Sequence, residues 1–217
     1  MNPNAEKIYD LALRQLNAGE YELAYGVGSS AIKQFPEHAS LLQLTALAAF
    51  QIGLASEAIE LCERAWEISP NNYILAYNLA TILLHQHNAN AGRQWLSKSI
   101  ELKPDYAAAH ANMGSVLIAF GELEQALVHL DKCIELGEQT SEVLINRASA
   151  LRDLGELNQA IAGYKDAIDI DPESSIAHSN YLLCLNYAEN NPEQIKEAHE
   201  KWGARYSIET ANQSLNA

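Results

Sequence analysis

Residues 107–140 read AAAHANMGSVLIAFGELEQALVHLDKCIELGEQT, and apolar side chains recur in this segment every three or four residues. One apolar face precedes Gly121 and another follows it, which is the spacing of two amphipathic helices. A glycine between them suits the left-handed residue that ends a helix, where a Cβ atom would be strained. The segment therefore predicts two helices joined by a tight turn. Their apolar residues are Met113, Val116, Leu117 and Phe120, then Leu123, Leu127, Leu130 and Ile134.

The same pattern returns along the chain every 34 residues. Small residues at fixed places let the two helices approach closely, because a larger side chain there typically costs about 1–3 kcal/mol. Prolines close the second helix, since proline cannot continue it. Ser56, Asn90 and Asn158 are expected to cap the second helix of their repeats. The columns are Pro36, Pro70, Pro104 and Pro172; Gly19, Gly53, His87, Gly121 and Gly155; and Ala24, Ala58, Gly92, Ala126 and Ala160.

A helix–turn–helix repeat of this length and with these columns resembles the tetratricopeptide repeat, from about residue 5 to residue 174. The expected fold is all-α, a right-handed superhelix (α-solenoid) of five repeats plus a terminal helix pair. Residues 1–174 hold the five repeats, which start near residues 5, 39, 73, 107 and 141. Residues 175–206 form a sixth, capping pair, and residues 207–217 a frayed tail. The resemblance implies that the first helix of each repeat lines a concave groove.

Asparagine occupies the sixth position of the first helix in the last three repeats and in the terminal pair. These residues are Asn78, Asn112, Asn146 and Asn180. An amide side chain both donates and accepts, so a ladder of such groups can hold the backbone of an extended peptide. Asparagine at this position is also common in tetratricopeptide repeats, where it can satisfy neighbouring helix ends. Both roles remain open for these four residues.

An apolar patch is expected near the amino-terminal end of the groove. It consists of Leu44, Leu47 and Phe50, all on the first helix of the second repeat. Such a patch could bind an amphipathic segment or a second copy of the chain. Helix packing within the chain is the alternative explanation for the same residues.

Residues 175–206 resemble the junction between repeats and catalytic half in O-GlcNAc transferase and SPINDLY-like glycosyltransferases. The resemblance rests on the runs Ala177–Tyr187 and Ala198–Tyr206. It implies that this chain is the substrate-recognition region of such an enzyme, without the catalytic domain. The alternative is a stand-alone adaptor or homo-oligomeric assembly factor. Either way the chain is expected to be a protein-binding scaffold with no enzymatic activity of its own.

Charge and composition narrow the choice of partner. The chain carries 28 acidic and 14 basic residues, a formal charge of −14. Phosphate backbones are bound by clustered Lys and Arg, so nucleic acid and anionic membranes are disfavoured. A protein or peptide ligand is expected, with a homodimer as a further possibility.

No chemical site is expected in the sequence. Cys62, Cys133 and Cys184 are odd in number and far apart, which favours reduced core residues in a cytoplasmic protein. His85 and His87 lie two residues apart, so on a helix they would point to different sides and would not form a metal site. There is no glycine-rich phosphate loop, and no cofactor is expected.

Overall fold

The computed structural model describes residues 3–188 and 192–215, with the side chains of residues 194 and 205–215 left out of the description. The described residues form twelve α-helices and no strand, which confirms the all-α prediction. The predicted tail, residues 207–217, overlaps the last helix, and residues 216–217 lie outside the described part. The helices are α1 Pro3–Asn17, α2 Tyr21–Gln34, α3 Ala39–Gln51, α4 Ala55–Ile68, α5 Tyr73–His85, α6 Ala89–Leu102, α7 Ala107–Ala119, α8 Leu123–Glu135, α9 Ser141–Asp153, α10 Leu157–Ile170, α11 Ser175–Ala188 and α12 Pro192–Leu215.

A left-handed residue makes the turn inside each repeat. Gly53 has φ 84°, and the N–H of Leu54 donates to the carbonyl of Ala49 at 2.8 Å, which closes the end of α3. His87 takes the same conformation at φ 58° at the end of α5. It is the one residue other than glycine with a positive φ in the described chain. The position of His87 in the glycine column is therefore confirmed by its backbone.

The second helices end in two different ways. Four of them end two residues before the proline of their repeat, as at Ile68, where Ser69 and Pro70 follow. Helix α8 has no such proline after it and ends at Glu135, two residues before Gly137, whose φ is 92°. The N–H of Glu138 then donates to the carbonyl of Cys133 at 3.2 Å. A left-handed glycine thus replaces the missing proline as the stop signal.

The expected caps of the second helices are wrong. Ser56, Asn90 and Asn158 are each the second residue of α4, α6 and α10. The N-cap positions fall two residues earlier, at Leu54, Asn88 and Glu156. Of these three, Asn88 accepts a hydrogen bond, from the N–H of Ala91 at 3.3 Å. The reason is that the left-handed turn reverses the chain at once, so the next helix begins sooner than expected.

The chain divides into two compact units, residues 1–113 and residues 114–217. In the first unit the core lies between α3, α4 and α5 and includes Leu42, Leu61 and Leu79. In the second unit Tyr164 of α10 is fully buried against Ala148 and Cys184. The alanines of the repeat column have no exposed surface at the helix crossings, as at Ala58 in the first unit. Small residues therefore do sit where the helices of a unit touch.

The three cysteines are free and buried, one in the first unit and two in the second. Burial, helped by the neighbouring charge of Glu63, raises the pKa of the Cys62 thiol to about 12. A thiol with so high a pKa is a weak nucleophile, because the reactive species is the thiolate. The prediction that these cysteines are core residues is confirmed.

Candidate peptide-binding site

The first unit places two of the candidate asparagines on neighbouring first helices. Asn112 of α7 donates through Nδ2 to the hydroxyl of Tyr77 on α5, at 3.4 Å. Asn78 follows Tyr77 on α5 and is only 9% exposed. Its Nδ2 has no hydrogen-bond partner. A buried amide donor without a partner is costly, but the Nδ2 of Asn78 is shielded from solvent, so a ligand carbonyl would reach it only after a local rearrangement.

An aromatic cluster lies beside these asparagines. The ring of Tyr106 packs edge-on against Tyr73 and Tyr77, with centroids 5.0 and 5.1 Å apart. Burial raises the pKa of the Tyr106 hydroxyl, and the neighbouring Tyr77 and Tyr73 add to the shift. The Tyr106 hydroxyl therefore stays uncharged at neutral pH. It offers rigid aromatic surface next to amide groups, a combination that is enriched at protein interfaces.

The second unit repeats the arrangement with different partners. Asn146 of α9 donates through Nδ2 to the hydroxyl of Ser115 on α7, at 2.9 Å. Asn180 of α11 accepts through Oδ1 from Nη1 of Arg152 on α9, at 3.3 Å. Arg152 also donates through Nε to Asp153 at 2.8 Å. Each asparagine thus reaches back to the first helix of the preceding repeat.

These bonds use only part of each amide. Asn112 and Asn146 donate one N–H, which leaves the second N–H and the Oδ1 acceptor outside the described bond. Asn180 accepts from Arg152, which leaves both of its N–H groups. All three side chains are partly exposed. The asparagines can therefore bridge neighbouring helices and still offer donors and acceptors to a peptide.

The apolar patch expected on α3 is only partly accessible. Leu44 is 3% exposed and buried by the chain itself, which favours helix packing as its role. Leu47 and Phe50 are half-buried. The ring of Phe50 packs edge-on against His85 at a centroid distance of 5.0 Å. The patch that remains for a ligand is therefore smaller than the sequence suggests.

The partner residues of the asparagines were not found in the sequence. Tyr77, Ser115 and Arg152 stand at positions 5, 9 and 12 of their first helices. They form no column of one residue type, because each asparagine bonds to a different kind of group. The available signal was their place on the first helices, which are expected to line the groove.

The histidines set aside as metal ligands are used in other ways. His85 packs against Phe50, and His87 makes the turn after α5. Among the described residues, no group of three or more His, Cys, Asp or Glu side chains is arranged to hold a metal ion. In the same part of the chain, no helix combines the length and the apolar character needed to cross a membrane.

The last helix pair differs from the repeats before it. The ring of His178 on α11 stacks on Trp202 of α12 with centroids 3.9 Å apart. A cavity of about 460 Å³ lies between α10, α11 and α12, and Lys165, Tyr181 and Lys201 are among its lining residues. An aromatic stack, rather than the small-residue columns, thus joins α12 to α11.

Known sequences and structures support the repeat assignment. Models of the tetratricopeptide repeat match residues 9–73, 49–114 and 141–174, which together make up more than half of the chain. DnaJ homolog subfamily C member 3 from Bos taurus is 35% identical over 72 residues. That match spans 33% of this chain and only 14% of the relative.

Three solved structures share the fold. PilF of Pseudomonas aeruginosa has a TM-score of 0.81 at 17% identity, covering 93% of this chain and 89% of its own. MamA has a TM-score of 0.68 at 19% identity, covering 81% and 96%. YrrB, described as a TPR protein with an unusual peptide-binding site, has a TM-score of 0.66 at 20% identity, covering 78% and 88%. These structures show the shared fold, and the repeat models, which together match more than half of the residues, show that the chain belongs to the tetratricopeptide repeat family.

Proposed function

We propose that the chain binds an extended polypeptide segment along its first helices, through Asn78, Asn112, Asn146 and Asn180. The observation that carries this proposal is that the amides of Asn112, Asn146 and Asn180 are partly exposed and keep hydrogen-bonding capacity beyond their bonds within the chain. Asn78 supports it, because its Nδ2 has no partner within the chain. Backbone recognition of this kind depends little on the ligand's side chains. The peptide-binding site described for the similar protein YrrB adds support by analogy.

The test separates the two roles of an asparagine. Asn146→Ala removes the amide altogether, whereas Ser115→Ala removes only its partner within the chain. Peptides selected from a random 12-residue display library on the intact chain supply the probe. We expect Asn146→Ala to weaken binding about five- to tenfold, as for the loss of one hydrogen bond of about 1–1.5 kcal/mol. We expect Ser115→Ala to leave the affinity within twofold of the wild type.

Equal effects of the two variants would mean that Asn146 serves only to hold α9 against α7. Thermal unfolding followed by circular dichroism controls for stability, because both variants lose the same bond within the chain. Asn78→Ala is the counterpart in the first unit, and it should weaken binding without the loss of any bond described in the chain.

A narrower proposal is that this scaffold presents protein substrates to an O-GlcNAc-transferase-like catalytic domain. Its support is the pair of runs at residues 177–187 and 198–206. The mass of the native gene product in its source cells tests it. A mass far above 23.9 kDa is expected under this proposal. A native mass equal to that of the chain would instead favour an independent adaptor.

A further inference from the structure

The carboxyl-terminal first helix exposes a row of large apolar side chains. Ile176, Leu183 and Tyr187 of α11 are 62%, 42% and 74% exposed. Their spacing of seven and four residues puts them on one face of the helix, and Asn180 lies on that same face. Three exposed apolar residues in one row form a contiguous apolar surface, whereas single apolar residues scattered over a protein do not.

The neighbouring first helix carries the opposite chemistry at the same repeat positions. Where α11 has Ile176, Leu183 and Tyr187, α9 has Glu142, Ser149 and Asp153. The bond between Arg152 and Asn180 joins the two helices between these rows. A ligand lying over that bond therefore meets an apolar row on one side and a polar, acidic row on the other.

The acidic groups gather at one end of this surface. Ser141, at the start of α9, donates to the carbonyl of Ala167 near the end of α10, at 3.1 Å. Leu144, Ala167 and Ala177 form a buried cluster, so the starts of α9 and α11 converge there. Glu142 and Asp171 are exposed at this end, close in sequence to those contacts. At the other end Asp153 is paired with Arg152 at 2.8 Å and adds little net charge.

The net charge of the whole second unit is also negative. Residues 114–217 hold 17 of the 28 acidic residues but 7 of the 14 basic ones, a net charge of −10. A second copy of this unit would bring the same negative charge to the contact. Juxtaposed like charges at an interface are unfavourable, whereas a cationic partner gains from the field. The acidic surroundings of the apolar row therefore favour a basic partner over self-association.

We propose that this surface, the α9–α11 face, binds a short extended segment of another protein with alternating apolar and basic side chains. Successive side chains of an extended segment point to opposite sides. One side therefore meets Ile176, Leu183 and Tyr187, and the other meets the exposed carboxylate of Glu142 at the start of α9. The rise of a helix is about 1.5 Å per residue, so the apolar row extends over about 16 Å, the reach of roughly five extended residues. The inference rests on the proposed peptide-binding function and assigns the class of ligand.

A binding measurement on the intact chain tests the proposal. The probe is a fluorescein-labelled 12-residue peptide of alternating Leu and Lys. Fluorescence anisotropy also measures an alternating Leu and Glu peptide and an alternating Leu and Ser peptide. We expect the Leu and Lys peptide to bind at least tenfold more tightly than the other two. Its affinity should fall as salt increases, because part of the attraction is ionic.

Neutral substitutions separate specific binding from general ionic attraction. Ile176→Ser with Leu183→Ser leaves the charge unchanged and should weaken the Leu and Lys peptide at least tenfold. Val128→Ser is the matched control, because Val128 is 68% exposed on α8 and lies outside the row. It should leave the affinity unchanged. An equal affinity of all three proteins for the peptide would overturn the proposal, because the attraction would then be unspecific.

Two further outcomes separate this inference from the proposed function. In the first, the Leu and Ser peptide binds in a way that Asn146→Ala weakens but Ile176→Ser with Leu183→Ser does not. That result would overturn the inference and leave the proposed function standing. Failure of every peptide, including those selected by display, would overturn both. A wild-type dimer in sedimentation that becomes monomeric on Leu183→Ser would identify a second copy as the occupant and overturn the inference.

Discussion

At the scale of single residues, the backbone conformation of a few positions decides where each helix stops. Glycine is favoured in the turn of each repeat because a Cβ atom is strained at positive φ. His87 accepts that strain at φ 58°, while the corresponding Gly53 has φ 84° and nothing within 4 Å of an added Cβ. The two positions therefore form a natural pair for measuring the energy of the turn without packing effects.

We expect His87→Gly to raise the free energy of unfolding by about 0.5–1 kcal/mol. The relief of strain outweighs the greater entropy of glycine in the unfolded chain. Gly53→Ala should lower the free energy of unfolding by about 1 kcal/mol for the converse reason. Urea unfolding followed by circular dichroism measures both. A loss of stability in His87→Gly would mean that the imidazole contributes contacts of its own.

At the scale of helices, close crossings depend on where a methyl group can be accommodated. Gly28 of α2 faces Thr45 of α3, and a Cβ at residue 28 would stand 2.2 Å from the Thr45 hydroxyl and 3.0 Å from its Cβ. Thr45 is fully buried, and its hydroxyl donates to the carbonyl of Leu41 at 2.7 Å. The side chain is therefore held in place and cannot turn aside easily.

Gly28→Ala is expected to destabilise the protein by about 1–2 kcal/mol, although alanine favours a helix more than glycine does. Adding Thr45→Ala should recover at least half of that loss, since the hydroxyl and its methyl are gone. A double-mutant cycle from urea unfolding gives the coupling between the two residues. Additive effects would show that α2 and α3 separate slightly and absorb the methyl group.

The sequence predicted the helices far better than the contacts between their polar side chains. The 34-residue period, the glycines and the prolines each reflect a local preference of the backbone. The turns at Gly53 and His87 could therefore be placed from the sequence. The N-cap of α4 was predicted at the wrong residue. A side chain such as that of Ser56 can cap a helix only when it stands immediately before the first helical residue. The bonds of Asn146 to Ser115 and of Asn180 to Arg152 depend on how first helices lie together within the unit.

At the scale of the whole molecule, the repeat makes the chain modular. In a repeat protein each repeat contacts mainly its neighbours, so the free energy of unfolding is close to a sum over the repeats and the interfaces between them. The start of each repeat offers equivalent residues to the repeat before it. Removing one complete period should therefore preserve a compatible contact, whereas removing a single helix should not.

Deletion of residues 73–106 removes α5 and α6 together and is expected to leave a helical protein of lower stability. The urea m-value should fall by roughly one sixth, in proportion to the surface that the shorter chain exposes on unfolding. Deletion of residues 73–88, which removes α5 alone, should abolish cooperative unfolding. Cooperative unfolding of both shortened chains would show that the 34-residue period is not the structural unit.

The double use of the asparagine amides has a mechanical consequence. In the second unit, Asn146 links α9 to α7 and Asn180 links α11 to α9, so these side chains connect successive first helices. A peptide bound by the same amides would contact several of these helices at once. Separating the helices would then require the peptide to stretch or dissociate, so the unit with bound peptide would be stiffer than the unit without it.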